Sequence, residues 1–431
     1  MASLARTAFR VHSFTGVITG LLLFILCWSG TFAVIAHELD WLATPAARAQ
    51  PAPGPDNWAA WEAGVHAHAP DTRLLGLRAP LNDHGAAQAM IQRPDGGRRL
   101  LFITPATGQV QGEASPFTVQ RFFREFHRSF YIPTQWGTYL VAALAVTLLV
   151  SLVAGLLFYR RWWRRFFSLR WRRGPGLWSE LHKFVGLWSL WFVLIIGVTG
   201  LWYGVERARL DMGDGLFAYA GPTAMAAHRI AEPDSDPSRP PLSVAALVDR
   251  ARALRPALRL TTVIPGPDRF YAEGEADDLL VRPRANLIYL DARSGAPLYN
   301  QDAGDLPAYW RWSETADPLH FGDFAGLPVK LLWFVFGLLL CGLILTGTWM
   351  HARRLARSER AREKHRWRGT GAAVVVSLLV VVASVPLAIH QVRLEYGGFP
   401  PLQSGVMAVV LGWVVLTVIL LAGWGWSLKR R

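Results

Sequence analysis

Six stretches of roughly 20 apolar residues, at 13–36, 136–159, 184–203, 327–350, 371–389 and 405–426, constrain what this 431-residue chain can become. At about 1.5 Å of rise per residue, each is long enough as a helix to cross a hydrocarbon layer of about 30 Å. With the 52% apolar content gathered into such blocks, the chain is built for a bilayer and not for one soluble core. The expected fold class is an α-helical polytopic membrane protein with about six transmembrane helices. Two small α+β domains, at 41–126 and 208–318, are expected between paired helices.

The formal charge of +14 follows the same logic. Its carriers stand beside the apolar blocks: Arg160, Arg161, Arg164, Arg165, Arg170, Arg172 and Arg173, then Arg353, Arg354 and Arg357, then Lys429, Arg430 and Arg431. Lys and Arg held on the cytoplasmic flank set orientation. With Arg6 and Arg10 inside, every cluster falls on one side, so both termini are expected in the cytoplasm and both domains outside. Charge placed this way speaks for lipid as the partner and against nucleic acid. Cys27 and Cys341 both fall inside predicted helices, which leaves small apolar core residues as their reading and no disulfide framework. The small-residue stretch 43–50 resembles a cleavage site, but the apolar block before it is long for a signal peptide and recurs later in the chain.

That recurrence is an internal duplication. His12-Ser-Phe-Thr-Gly16, with an apolar run to Gly30, parallels His182-Lys-Phe-Val-Gly186, with an apolar run to Gly200, residue for residue. Phe126-His127-Arg128 before the second helix parallels Leu319-His320-Phe321 before the fourth, each helix carrying a glycine, Gly155 or Gly347, before a basic exit. The fifth and sixth helices have no counterpart. Within the first domain, 57–68 reads as a helix and 73–78, 88–92 and 100–104 as strands. In the second, 243–254 reads as a helix and 258–264, 279–282 and 287–291 as strands. Asp291-Ala-Arg-Ser-Gly295 reads as a turn, with Asp bonding the backbone and Gly taking positive φ.

Seven of the twelve histidines lie at or near membrane-helix ends. His12, His182 and His351 form a cytoplasmic layer, and His37, His127, His320 and His390 an outer one. Ionisable residues beside membrane segments are functional candidates, and neutral imidazole is a common axial ligand of haem. Two layers suggest two haems. His12 and His37 also fall on nearly one face of a continuous helix, so that one helix would serve both layers. Each such His has a simpler use, reaching toward headgroups or a backbone carbonyl. Ligation is favoured for the recurrent pairs His12 with His182 and His127 with His320. His351, His37 and His390 have no matched His in the other repeat. A metal-transport path would use the same residues, but no intramembrane carboxylate accompanies them. His66, His68 and His84 read as scattered surface residues, and His365 as solvated.

There is no G-x-G-x-x-G after a strand, no P-loop and no C-x-x-C, so an electron donor would have to be external. A membrane quinol or a cytoplasmic flavoprotein is the natural candidate.

The duplicated unit, with His12-x-Phe-x-Gly16 and His182-Lys-Phe-x-Gly186 opening helices and Leu319-His-Phe-Gly322 preceding Leu332-Trp333-Phe334, resembles the PepSY-associated transmembrane family over roughly residues 8–356. That family includes iron-regulated proteins of the bacterial inner membrane, some of them dihaem reductases that release iron from ferric siderophores. The resemblance implies a haem b conduit with periplasmic PepSY domains and carries His12, His182, His127 and His320 over as motif histidines. His351 falls where the family often has an aromatic residue. Haem b, two per chain, is the expected cofactor, a ferric siderophore the expected substrate, and no separate metal site is expected. PepSY modules are also associated with protease inhibition, which leaves open a non-redox module that binds a periplasmic peptide or protein.

Overall fold

In the computed structural model, residues 2–169, 175–212, 230–278, 280–357 and 370–429 are described. The chain enters through α1 (Ala2–Ile18), α2 (Gly20–Val34) and α3 (Ala36–Ala43). Then come α4 (Trp58–His68), strands β1 (Arg73–Arg78), β2 (Ala87–Gln92), β3 (Arg98–Ile103) and β4 (Val110–Ala114), α5 (Val119–Ser129) and the long α6 (Thr134–Phe158). The second half runs in the same order, with no counterpart of α3 among the described residues. It comprises α7 (Pro175–Trp188), α8 (Leu190–Asp211), α9 (Val244–Leu254), β5 (Arg259–Pro265), β6 (Arg269–Glu275), β7 (Leu287–Asp291), β8 (Pro297–Gln301), α10 (Ala308–Phe321) and α11 (Gly326–Arg357). Two further helices follow, α12 (Thr370–Tyr396) and α13 (Ser404–Lys429).

Among the described residues, five helices are long and apolar enough to cross a membrane, and six if α1 and α2 count as one bent span. The expected single helix over 13–36 instead bends by 68° between them. Thr19 sits at the bend, its hydroxyl donating back to the Thr15 carbonyl at 2.8 Å, the kind of side-chain bond that bends helices. Thr19 itself stays bonded on both sides, its N–H to Thr15 O and its carbonyl to Leu23 N–H, while the helical ladder is interrupted across it. The second entry helix is interrupted at Ser189, between α7 and α8. Each break lies seven residues after the histidine that opens its helix, Thr19 after His12 and Ser189 after His182.

The breaks change which partner each helix packs on. Before its break each entry helix packs on the exit helix of its own half, α1 on α6 and α7 on α11. After it, α2 packs on α11 and α8 on α6. Glycines permit the crossings: a Cβ on Gly337 would stand 2.5 Å from the Thr31 hydroxyl, and one on Gly204 would stand 2.4 Å from the Ala142 Cβ. The resulting core gathers around α2, with Phe24 at 1% and Trp28 at 6% exposure. Cys27 and Cys341 belong to this core, as expected.

The strands form one eight-stranded antiparallel sheet, order β4-β3-β2-β1-β5-β6-β7-β8. The two domains expected as separate units are joined where β1 meets β5, Leu77 opposite Val263. One apolar core serves both halves, with Trp58, Trp61, Leu77 and Ile91 from the first against Leu247, Val263, Phe270 and Ile288 from the second. At about 1.5–3 kcal/mol for each large apolar side chain fully buried, neither half could shed the other cheaply. The helices α4 and α9 pack together. Asn57 and Ser243 cap them by accepting from the N–H groups of Ala60 and Ala246. Glu62 of α4 also accepts from the Val244 and Ala245 N–H groups, so a carboxylate of one half closes the N-terminus of a helix in the other.

Strands β4, β6 and β8 were not expected. β4 and β8 are edge strands with few apolar residues, and β6 lies just beyond a Gly-Pro-Asp turn. The expected strand over 279–282 is not one: Leu280 stands in a turn with φ +56°, 281 and 282 are irregular, and Leu279 lies outside the described residues. The Asp291 turn is as expected. Asp291 accepts from the Arg293 and Ser294 N–H groups, which hold its carboxyl down to about 2 against the opposing effect of burial, and Gly295 has φ +71°.

Replacing Glu62 by Ala should lower the stability of the sheet by about 1 kcal/mol, through loss of the cross-half cap. Thermal unfolding of the detergent-purified protein, followed by far-ultraviolet circular dichroism, reads this as a lower midpoint; Glu62→Gln, which retains an acceptor, should fall between.

Candidate functional site: two histidine pairs

The helix exchange sets histidines of the two halves against each other at both ends of the bundle. At the end remote from the sheet, the His12 and His182 rings stand with centroids 6.4 Å apart. Toward the sheet, His127 and His320 stand 6.0 Å apart. Each half supplies one member of each pair.

The four rings are held alike. His12 Nδ1 is 2.8 Å from the Ser151 carbonyl, and His127 Nδ1 is 2.9 Å from the Leu26 carbonyl. A carbonyl only accepts, so in both rings Nδ1 carries the proton and donates. His182 Nδ1 meets Thr346 Oγ1 at 3.1 Å, and that hydroxyl donates to the Gly342 carbonyl. His320 Nδ1 meets Thr199 Oγ1 at 2.7 Å, and that hydroxyl donates to the Ile195 carbonyl. With its proton committed elsewhere, each hydroxyl accepts from the imidazole. All four rings thus share one tautomer, with Nε2 bearing the lone pair and without a hydrogen-bond partner among the described residues.

This is the donor set a bis-imidazole metal site needs: a basic Nε2 on a ring whose other nitrogen is fixed by a hydrogen bond. Two metal–nitrogen bonds of about 2 Å, with about 1.2 Å from nitrogen to ring centre at each end, place the centroids of two opposed imidazoles about 6.4 Å apart. The observed separations, 6.4 and 6.0 Å, are of that size. Among the described residues there is no cluster of three or more His, Cys, Asp or Glu that would hold a bare ion.

Glycines give two of the rings room: a Cβ at Gly30 would lie 2.5 Å from His127 Cε1 and at Gly347 3.2 Å from His182 Cε1, whereas one at Gly155 would meet His12 Nδ1 at an ordinary contact of 3.4 Å. A cavity of about 290 Å³ opens beside His12 and His182, lined mostly by apolar side chains and by Gly16 and Gly186.

The His127–His320 pair is anchored from the sheet side. Asp40 accepts from the Val119 and Gln120 N–H groups, capping α5, and Thr118 accepts from Arg121 N–H. On α10, Arg282 reaches Glu314 and Asp317, each at 2.7 Å. Glu314 is fully buried. Burial alone would raise the Asp317 carboxyl, but Arg282 beside it and the Tyr203 hydroxyl bonded to it hold it below the usual carboxylate range. Ser313 bonds Glu206, tying α10 to α8. Helix α13 closes the other flank, with Trp413 packed against Phe122, Phe123 and Phe126 and Thr417 accepting from Trp28 Nε1.

The remaining candidates separate. His351 lines the cavity of His12 and His182, and its Nδ1 is buried without a partner. His37 does not join the sheet-side pair. Breaks at Thr19 and Ile35 remove the continuous helix on which His12 and His37 would share a face, and the charged neighbours of His37 are Lys330, Arg78 and Arg124. His390 is exposed on α12, and His68 pairs with Glu113. His365 and the basic residues 170–173 lie outside the described residues. Sequence reasoning missed the orienting groups Ser151, Thr199 and Thr346. The signal at Thr199 and Thr346 is a hydroxyl inside an otherwise apolar helix, directly before Gly200 and Gly347; the Ser151 carbonyl carries none.

Fold and site together define a helical membrane protein whose halves interlock beneath a shared sheet and present two facing histidine pairs. The chain belongs to the family described as PepSY-associated TM region, which matches residues 9–354. An 82-residue stretch, 18% of this chain, is 37% identical to Uncharacterized protein PA4219 of Pseudomonas aeruginosa and covers 20% of that protein's length.

Two outcomes follow from this geometry. Gly30→Val should cost about 1–3 kcal/mol by overpacking against His127, whereas Gly412→Ala, at an open position on α13, should change stability by less than about 0.5 kcal/mol; thermal midpoints compare them. Because the Asp317 carboxyl is held down when folded, its stabilisation is fully present above its unfolded pKa of about 3.9, begins to fall below it, and is lost as pH drops through the lower folded value. Thermal midpoints measured from pH 6 to pH 3 should therefore fall more steeply for wild type than for Asp317→Asn.

Proposed function

We propose that this protein is a haem b electron-transfer protein of a bacterial inner membrane that reduces a ferric chelate, of the ferric-siderophore kind, on the sheet side. In this reading the two halves are copies of one duplicated unit, both termini are cytoplasmic and the sheet is periplasmic. The observation that carries it is the repeated geometry of the two cross-half pairs, with centroid separations of 6.4 and 6.0 Å and every Nδ1 donated.

His12 and His182 would hold one haem, and His127 and His320 a second. Bound haem would supply one-electron chemistry, and sites toward each end of the bundle are what an electron path across a membrane requires. The chain's own work is to keep four imidazoles single in tautomer and fixed in orientation, through Ser151, Leu26, Thr346 and Thr199. Ring contacts continue between the layers on α2, from Phe24 to Trp28 at 6.0 Å and Trp28 to Phe32 at 4.9 Å. The electron comes from an external quinol or cytoplasmic flavoprotein. Delivered to Fe(III) in an oxygen-rich chelate, it yields Fe(II), a softer and less charged ion that such ligands hold less well. No acid–base apparatus is needed.

The reduced-minus-oxidised visible spectrum of the protein purified after haem-supplemented expression tests this. We expect sharp b-type bands and about two haems per chain, falling to about one in His12→Ala or His182→Ala and, separately, in His127→Ala or His320→Ala. His37→Ala should retain both. A well-folded protein without haem would sink the reading and favour an anchor for a sheet that binds a periplasmic peptide or protein, in which case His182→Ala would leave partner binding unchanged.

A further inference from the structure

The cavity beside His12 and His182 is chemically lopsided. Among the described residues its lining contains no Asp or Glu, and its two cations are Lys183 and Arg354. Lys183 is already engaged, its Nζ 2.8 Å from Glu180. Arg354 lies over the Phe9 ring at 4.6 Å and has no carboxylate partner among the described residues. One turn before it, on the same face of α11, His351 lines the same cavity with its buried Nδ1 unpartnered. An apolar slot whose lining includes a guanidinium and an imidazole nitrogen without partners among the described residues is the complement of a flat apolar molecule with carboxylates at one edge.

We propose that His351 and Arg354 recognise the propionate carboxylates of the haem held by His12 and His182, so that His351 positions this cofactor by its edge and is not an axial ligand. This rests on the haem reading above. Arg354 stands at the end of its membrane span, where a carboxylate can stay partly hydrated. Its guanidinium offers the forked donors that a carboxylate accepts, and His351 supplies a further donor. Recognition of this edge also fixes which way round the macrocycle enters.

The test uses the full chain in detergent, expressed without haem and titrated with protohaem and with its dimethyl ester, which has the same ring and iron but no carboxylates. Parallel titrations of His320→Ala read the His12–His182 site alone. Wild type should bind protohaem at least about tenfold more tightly than the ester, as expected for a charge-assisted contact. Arg354→Gln and His351→Ala should each reduce that preference, and Arg354→Lys should recover part of it. At saturation, both loss variants should keep the low-spin, bis-imidazole electron paramagnetic resonance signal of wild type.

Equal wild-type affinity for haem and ester would overturn the proposal. So would loss of the bis-imidazole signal in His351→Ala, which would make His351 a ligand. An Arg354 effect equal for haem and ester and dependent on added anionic lipid would assign the arginine to a lipid phosphate and overturn it too. Failure of every form to bind either porphyrin would be a failure of the haem reading itself.

Discussion

Lipid offers no hydrogen bonds to a stray peptide group, so a helix inside it can change direction only where the freed groups are met from within the protein. The entry helix of the first half turns by 68° at Thr19, whose hydroxyl bonds four residues back and whose own N–H and carbonyl both stay paired. Ser189 interrupts the second entry helix at the same distance from its histidine. These breaks let each entry helix leave its own exit helix and cross to the other's, and the cross-half pairing of histidines depends on that exchange.

The same exchange explains the glycines. Where the helices cross, at Gly204 against Ala142 or Gly337 against Thr31, a Cβ would collide with the neighbour. At Gly30 the space is taken by the His127 ring. Small residues therefore serve two ends here, close helix packing and room for an imidazole, and in a membrane the first also supplies much of the attraction between helices. Beyond the bundle, the ion pairs of Arg282 with Glu314 and Asp317 fix α10 against the sheet. A buried pair of this kind contributes little net stability, but removing one partner strands a charge and costs about 3–5 kcal/mol.

The helices were legible because length and hydropathy determine them almost alone. The fifth and sixth spans, at 371–389 and 405–426 by composition, appear as Gly371–Tyr396 and Ser404–Ser427. The recurrent histidines were legible too, because His12 and His182 share their spacing to a glycine. The edge strand β8 was not, since an edge strand can be polar on both faces and still be held by its neighbour's backbone. Nor was the union of two domains into one sheet, because the pairing of β1 with β5 joins segments more than 180 residues apart.

By itself the sequence determined a membrane protein with paired histidine layers, since burial in lipid and the period of a helix are local properties of a chain. Only the tertiary structure decided which histidines meet, that His37 stands apart, and that Ser151, Thr199 and Thr346 orient the rings. The reason is that a bend of one helix redirects everything beyond it. A spacing of 25 residues between His12 and His37 predicts a shared face on a straight helix, and Thr19 and Ile35 remove the straight helix.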